Sequence, residues 1–321
     1  MDRKVAIGLV GTGRWGTNHL RVLPSVCAFQ GVAEINPEKR RGLQLKGIAA
    51  FEDWRALARS CEALIIATPT QTHYEIAKQA LEAGLHVFVE KPLSCDLREI
   101  RELVALATCL KRILWVGYIY RFHPSVQELQ RRVGDISRIG YVFMRYTSKG
   151  RPWSMGGAIW NFGIHQFDTL NCIFAKPLGI RADVQFLSDR IREDSAFVTI
   201  RYEGFNAYLE MSRYHPEKKR DIWIVGGGEQ YHTNLLENNL QRWYEIESSE
   251  GSEIHERIEC QGGEPLFQEL CEFAECVDHW PRIENKGAES ALTVHMCEAA
   301  LQSAERGGIW VDLQLQSKEN I

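Results

Sequence analysis

Residues 5–16 read Val5-Ala-Ile-Gly-Leu-Val10-Gly11-Thr-Gly13-Arg-Trp-Gly16, a short apolar run that enters a glycine-rich turn directly. In a G-x-G-x-x-G the glycines permit a tight turn and a close approach of backbone to a pyrophosphate. A helix starting near Trp15 would aim its free amides at that anion, where the helix dipole also favours negative charge. The next apolar run, Gly31–Ile35, carries Glu34 at its end. A carboxylate there accepts hydrogen bonds from the two adenosine ribose hydroxyls and repels a 2′-phosphate. The reading is therefore an NAD site built from Gly11, Thr12, Gly13, Arg14, Trp15, Gly16 and Glu34. Lys39, Arg40 and Arg41, just behind Glu34, leave NADP open.

Outward from this stretch the same rhythm continues. Strands are predicted at Val5–Val10, Gly31–Ile35, Ala63–Ala67, His86–Glu90 and Leu114–Gly117, several of them continuously apolar, as in a sheet covered on both faces. Helices alternate with them. Thr72-His-Tyr-Glu75 has capping-box spacing ahead of an apolar face of Ile76, Ala77, Ala80, Leu81 and Ala83, and another helix is expected over Leu97–Leu110. This is an α/β, doubly wound parallel sheet of the Rossmann type, placed at 1–120.

Beyond Arg121-Phe-His-Pro124 the pattern changes. A helix near Val126–Val133 precedes strand-like segments at Ile139–Tyr146, Ile180–Gln185, Ala196–Tyr202, Asn206–Ser212 and Asp221–Val225, joined with few helices. One helix is expected at Ile159–Ile173 and two more at Leu266–Val277 and Ala288–Arg306. Residues 121–321 read as an α+β domain with a large, mainly antiparallel open sheet.

The bulk numbers fit two such domains in 321 residues, with 45% hydrophobic and 25% charged residues. A net charge of −4 gives no basic footprint for nucleic acid or an anionic membrane. The opening apolar run is too short for a signal peptide, and no run reaches the length of a membrane span. Nine scattered cysteines, without a CxxC or a cysteine-histidine cluster at zinc spacing, read as reduced thiols in a cytoplasmic protein with no metal site.

Three further segments add chemistry: Ala67-Thr-Pro-Thr-Gln-Thr-His73, Glu90-Lys91-Pro92, and Gly156-Gly-Ala-Ile-Trp-Asn-Phe-Gly-Ile-His-Gln-Phe-Asp168. Ligands of an open α/β sheet bind at the carboxyl ends of its strands, where Thr68, Pro69, Glu90 and Lys91 all fall. A lysine there, beside a cationic nicotinamide and partly dehydrated, should have its pKa lowered toward the range of proton transfer. Pro92 keeps Lys91 out of the helical region and helps to aim it. On a helix, Asn161, His165 and Asp168 would share one face.

Together, and in this order, the segments resemble the Gfo/Idh/MocA oxidoreductases over nearly the whole chain. The resemblance implies hydride transfer between nicotinamide and a carbinol or ketone carbon of a sugar-like substrate. It also implies that His73 and Glu90 help hold the cofactor, that a cis bond is common after the motif lysine, and that His165 and Lys91 face the nicotinamide. Lys91, His165 and Asn161 are the catalytic candidates. Tyr120, Arg121, Arg151 and Trp153 join them as substrate contacts, the last two from the loop Lys149-Gly-Arg151-Pro-Trp153.

Asn161 departs from the aspartate usual in simple sugar and inositol dehydrogenases, and an amide cannot accept a proton at neutral pH. With the GxGxWG opening it looks more like the nucleotide-sugar branch that oxidises the 3-hydroxyl of UDP-N-acetylated hexosamines. A non-sugar substrate (a dihydrodiol, a tetrapyrrole or a hydroxy acid) and a non-catalytic dinucleotide sensor stay open as alternatives. Tyr208, Trp223 and Trp243, on an expected open sheet face, point to a homodimer or homotetramer.

Overall fold

A computed structural model describes residues 4–136, 138–150, 156–174, 176–188, 191–245, 253–280 and 286–314. The first unit opens with β1 (Ala6–Val10), α1 (Arg14–Val26), β2 (Ala28–Ala33), α2 (Pro37–Leu45), β3 (Ala50–Phe51) and α3 (Trp54–Ala58). It continues with β4 (Ala63–Ile66), α4 (His73–Glu82), β5 (His86–Glu90), α5 (Leu97–Cys109) and β6 (Leu114–Gly117). The six strands are parallel and ordered β3-β2-β1-β4-β5-β6. The chain winds outward from β1, then restarts at β4 in the other direction, which opens a ligand crevice at the carboxyl ends of β1 and β4. Every residue of β4, and all of β5 except His86, is buried, as a sheet covered on both faces requires.

Two local expectations are corrected here. β3 is two residues long, too short for a periodic signal. The capping box at Thr72 is not made: Thr72 ends a 3-10 turn over Thr70–Thr72, and its hydroxyl donates to the Pro69 carbonyl at 2.8 Å instead of serving the helix amides.

The second unit holds α6 (Pro124–Arg132), β7 (Ile139–Thr147), α7 (Ile164–Ile173), β8 (Gly179–Gln185), β9 (Ser195–Arg201), β10 (Asn206–Ser212) and β11 (Lys219–Gly226). It adds β12 (Glu229–Asn234), β13 (Asn239–Glu245) and β14 (Glu253–Glu259). The chain closes with α8 (Pro265–Asp278), α9 (Glu289–Glu305) and β15 (Val311–Asp312). The sheet has nine strands, ordered β14-β13-β12-β11-β7-β10-β9-β8-β15, with β7 and β10 parallel and the other pairs antiparallel. Its strands alternate. On β10, Ala207, Leu209 and Met211 are buried while Tyr208 points to the open face. The strands β12, β13 and β14 were not expected, because their polar residues, such as His232, Gln241 and Arg257, give no apolar alternation to read.

The expected helix at Ile159–Ile173 is two structures. Ile159–Gly163 is a π-helix and α7 follows it. A π turn is wider than an α turn, so Asn161 does not keep α-helical register with His165 and Asp168, and the single-face expectation is corrected.

The compact units are Met1–Ile119 with Glu264–Val294, and Tyr120–Gly263 with His295–Ile321. In this division Glu264–Val294 groups with the first unit. The helix α8 packs on the first sheet: Phe273 meets Phe88 and Trp115 edge-on, at ring-centroid distances of 5.5 and 6.0 Å. The ion pair Arg21–Glu264 joins α1 to the residue that precedes α8. Leu266, Leu270, Phe273 and Val277 form its buried face, and the parallel sheet gains from it the cover its own helices leave incomplete.

Candidate active site

The dinucleotide turn follows directly from β1. Gly11 has φ +92°, a left-handed conformation that L side chains rarely adopt, and a Cβ there would meet the Ala67 carbonyl at 2.9 Å and the Thr68 methyl at 3.0 Å. At Gly16 a Cβ would overlap the Gly11 carbonyl at 2.1 Å. Only glycine lets α1 start so close to the turn. Gly13 is different: a Cβ on it would have the Ala67 carbonyl, 3.9 Å away, as its single near neighbour, so the space over the turn is open. No side chain caps α1 at Gly13, and its first turn carries no acidic residue. Among the described residues no N-cap side chain and no acidic residue of its own first turn occupies the first amides of α1, which suits them to a pyrophosphate.

Glu34, immediately after β2, faces this turn. Its carboxylate accepts from the Thr12 amide at 3.0 Å, from the Asn36 amide at 2.9 Å and from the Thr12 hydroxyl. Burial pushes its pKa up, but these hydrogen bonds and the Lys39 charge outweigh burial and hold it below the ordinary carboxylate value. An ionised acceptor at the end of β2 fits a ribose diol. Arg40 is engaged elsewhere, donating to the Glu34 and Ile35 carbonyls and pairing with Glu52 at 3.0 Å, so of the three cations behind Glu34 it is the least suited to a 2′-phosphate. Arg14 is exposed and Trp15 half-buried at the start of α1.

At the ends of β4 and β5 the structure gathers the second set. Thr68 pairs with Thr72 through their hydroxyls at 2.7 Å, and Pro69 is exposed. Lys91 is half-buried and its bond to Pro92 is cis. Glu90 is buried and joined to His19 Nε2 at 2.7 Å, and His73 is buried with Nδ1 2.8 Å from the Pro92 carbonyl and Nε2 2.9 Å from the Thr68 carbonyl. Both ring nitrogens of His73 are turned to backbone carbonyls. His19 was not singled out from the sequence, although it lies on the same α1 face as the apolar Val22 and Leu23, three and four residues on.

In the second unit Tyr120 and His165 meet edge to face, with ring centroids 5.1 Å apart, and Tyr120 also packs edge-on against Tyr146 at 5.6 Å. Tyr146 is fully buried, and Arg220 lies over both its ring and that of Phe162, at 5.0 and 4.8 Å. The Tyr120 ring thus packs against the imidazole of His165 and is itself backed by Tyr146. Arg121, expected at the substrate, pairs with Asp168, its Nε 3.0 Å from each carboxylate oxygen. Burial pushes the Asp168 carboxyl up, against the Arg121 charge. His123, another neighbour in that motif, accepts from the Ser125 amide and caps α6. Asn161 donates from Nδ2 to the Gly157 carbonyl at 2.7 Å. Glu193, not singled out from the sequence, is buried beside Gly157 and accepts from the Ile159 amide at 3.0 Å, so it anchors the start of the π turn. Arg151 and Trp153 lie outside the described residues.

Comparison with known proteins agrees with this geometry. Residues 5–118 match the oxidoreductase family with an NAD-binding Rossmann fold (GFO_IDH_MocA), and residues 129–231 match the GFO/IDH/MocA C-terminal domain. The chain belongs to the Gfo/Idh/MocA family of NAD-binding oxidoreductases. It is 29% identical to a UDP-N-acetylglucosamine 3-dehydrogenase of Acidithiobacillus ferrooxidans, over 74% of this chain and 76% of that one. It is 28% identical to an inositol 2-dehydrogenase of Rhizobium meliloti, over 93% and 96%. The structure of the Acidithiobacillus ferrooxidans enzyme superposes with a TM-score of 0.85 at 24% identity, covering 94% of this chain and 98% of that one. A levoglucosan dehydrogenase in complex with NADH and levoglucosan gives 0.85 at 20% identity, covering 96% and 99%. Both superpositions show a shared fold.

Proposed function

We propose that this protein is an NAD-dependent dehydrogenase that moves a hydride between the nicotinamide and a carbinol or ketone carbon of a nucleotide sugar. The observation that carries the choice is Asn161. An amide cannot accept a proton at neutral pH, so the departure from the aspartate of simple sugar and inositol dehydrogenases removes a carboxylate relay here, and the side-chain nitrogen donates to the Gly157 carbonyl at 2.7 Å. The similarity to the UDP-N-acetylglucosamine 3-dehydrogenase supports the same branch.

Bound NAD would supply the hydride acceptor. The α1 amides hold its pyrophosphate and Glu34 its ribose diol, while Lys91, at the end of β5, exchanges the hydroxyl proton. His165 is the second candidate for that proton, with its ring plane fixed by Tyr120. Turnover of UDP-N-acetylglucosamine, free hexoses and inositols with NAD tests the substrate, and activity confined to the inositols would refute the nucleotide-sugar reading. Lys91→Met tests the proton carrier. It should lower kcat by roughly a hundredfold with NAD binding retained.

The same proposal places the enzyme in the cytoplasm as a homo-oligomer. Cys27, Cys61 and Cys260 are free thiols, and burial raises Cys27 to about 12 and Cys61 to about 11. Among the described residues no helix is long and apolar enough to cross a membrane. The open face of the second sheet carries Tyr141, Phe143, Tyr208 and Trp223 around a hollow of about 480 Å³. Beside them His232, Trp223, Trp243 and His255 stack in a row. A second copy covering this face would remove those rings from water. A monomeric mass by light scattering at micromolar concentration would refute it.

A further inference from the structure

The residues on either side of Lys91 in the sequence are each tied to a buried histidine. Upstream, the Glu90 carboxylate is bound by His19 of α1, which is completely buried. Downstream, the Pro92 carbonyl is bound by His73, the first residue of α4, which is 1% exposed. His73 reaches further: its other nitrogen lies 2.9 Å from the carbonyl of Thr68, the residue whose methyl packs over Gly11.

We propose that His73 is a positioning residue for Lys91, a clamp that ties the backbone after the lysine to the backbone beside the dinucleotide turn. This inference rests on Lys91 as the proton carrier. Both atoms that His73 meets are carbonyl oxygens, which only accept. A clamp on both therefore needs two N–H donors, which the imidazole supplies when protonated and only one of which it supplies when neutral. Burial outweighs the two carbonyls and the Glu90 carboxylate and holds the ring below its ordinary pKa, so the neutral imidazole donates to one carbonyl and lies against the other, and protonation completes the second bond. Neither neighbour of the lysine is left to the loop alone: Glu90 is fixed to α1 through His19, Pro92 to α4 through His73. A displacement of about 1 Å at a reacting group costs up to about a hundredfold in rate, so small slack in this loop is expensive at the chemical step and much less so in cofactor affinity.

The test compares His73→Phe with His73→Gln. Phenylalanine fills the space without donors, whereas the glutamine amide carries two N–H donors on one nitrogen and no charge. In His73→Phe, kcat should fall between about tenfold and a hundredfold, with a smaller change in the NAD dissociation constant, and His73→Gln should recover most of the loss. In a Lys91→Met background His73→Phe should have little further effect, because it acts through the lysine. Parental kcat in His73→Phe overturns the proposal, as does a His73→Gln no better than His73→Phe. If His73→Phe does not fold, His73→Gln against the parent decides: kcat within threefold supports the clamp and a tenfold loss overturns it. Lys91→Met alone separates the two ideas. If it keeps parental turnover, the reading of Lys91 fails; if it is inactive while His73→Phe is parental, only the clamp fails.

Discussion

Asn161→Asp puts a carboxylate oxygen where an amide nitrogen now donates to the Gly157 carbonyl at 2.7 Å. The atom facing that carbonyl must be nitrogen, whichever way the amide is drawn, because two oxygens at this distance repel. The substitution removes a hydrogen bond of about 1 kcal/mol and leaves an acceptor facing an acceptor, for a cost of about 2 kcal/mol in total. By linkage the same 2 kcal/mol holds the introduced carboxyl about 1.5 pH units above its unfolded value, since one unit corresponds to about 1.4 kcal/mol. The protonated carboxyl can donate to Gly157 and the ionised one cannot. The variant should therefore match the parent below about pH 4 and lose about 2 kcal/mol as the pH rises through about 5.5. Urea unfolding of parent and variant at several pH values between 4 and 8 measures the difference. A gap that is absent, or that does not change with pH, would refute the account of Asn161 as the fastening of the π turn.

Glu34→Ala should weaken NAD more than NADP, and an unchanged ratio of the two affinities would remove Glu34 as the ribose ligand. Arg121→Met leaves the Asp168 carboxylate, 1% exposed, without its partner and should cost about 3–5 kcal/mol in unfolding experiments. The double variant Arg121→Met/Asp168→Leu should be clearly milder, and additive losses would show that the pair is not coupled. Burial lowers His123 from 6.5 to about 4, so the unfolded chain takes up a proton that the folded chain refuses. Stability present above pH 6.5 should be lost as the pH falls toward 4, by on the order of 3 kcal/mol. His123→Gln should flatten that slope, and an unchanged slope would assign the acid sensitivity elsewhere.

Much of the first unit was readable because its signals are local. The run Val5–Gly16 places strand, turn and helix by residue type alone, and His86–Glu90 and Leu114–Gly117 come out at their observed ends. What was not readable depends on partners distant in sequence. Arg121 follows the sixth strand, and only the fold reveals its pair with Asp168, 47 residues on. His73 faces two backbone carbonyls, that of Thr68 in its own segment and that of Pro92 in the loop after β5, and only the second needs the fold to find it. The π turn was missed because nothing in Ile159–Gly163 distinguishes it by composition from an α turn. Its fastenings, Asn161 to Gly157 and Glu193 to Ile159, emerge only with coordinates.

The return of α8 to the first sheet bears on how the protein is made. Phe88 and Trp115 are synthesised early, but Phe273, which covers them, leaves the ribosome only after strands β7 to β14 of the second sheet. At 5–20 residues per second the intervening chain takes on the order of ten seconds to emerge. For that time the nucleotide-binding half is a nascent domain with an uncovered apolar surface. It should engage chaperones until Pro265–Asp278 arrives, and a chain stalled before that helix should be aggregation-prone where one stalled after it is not.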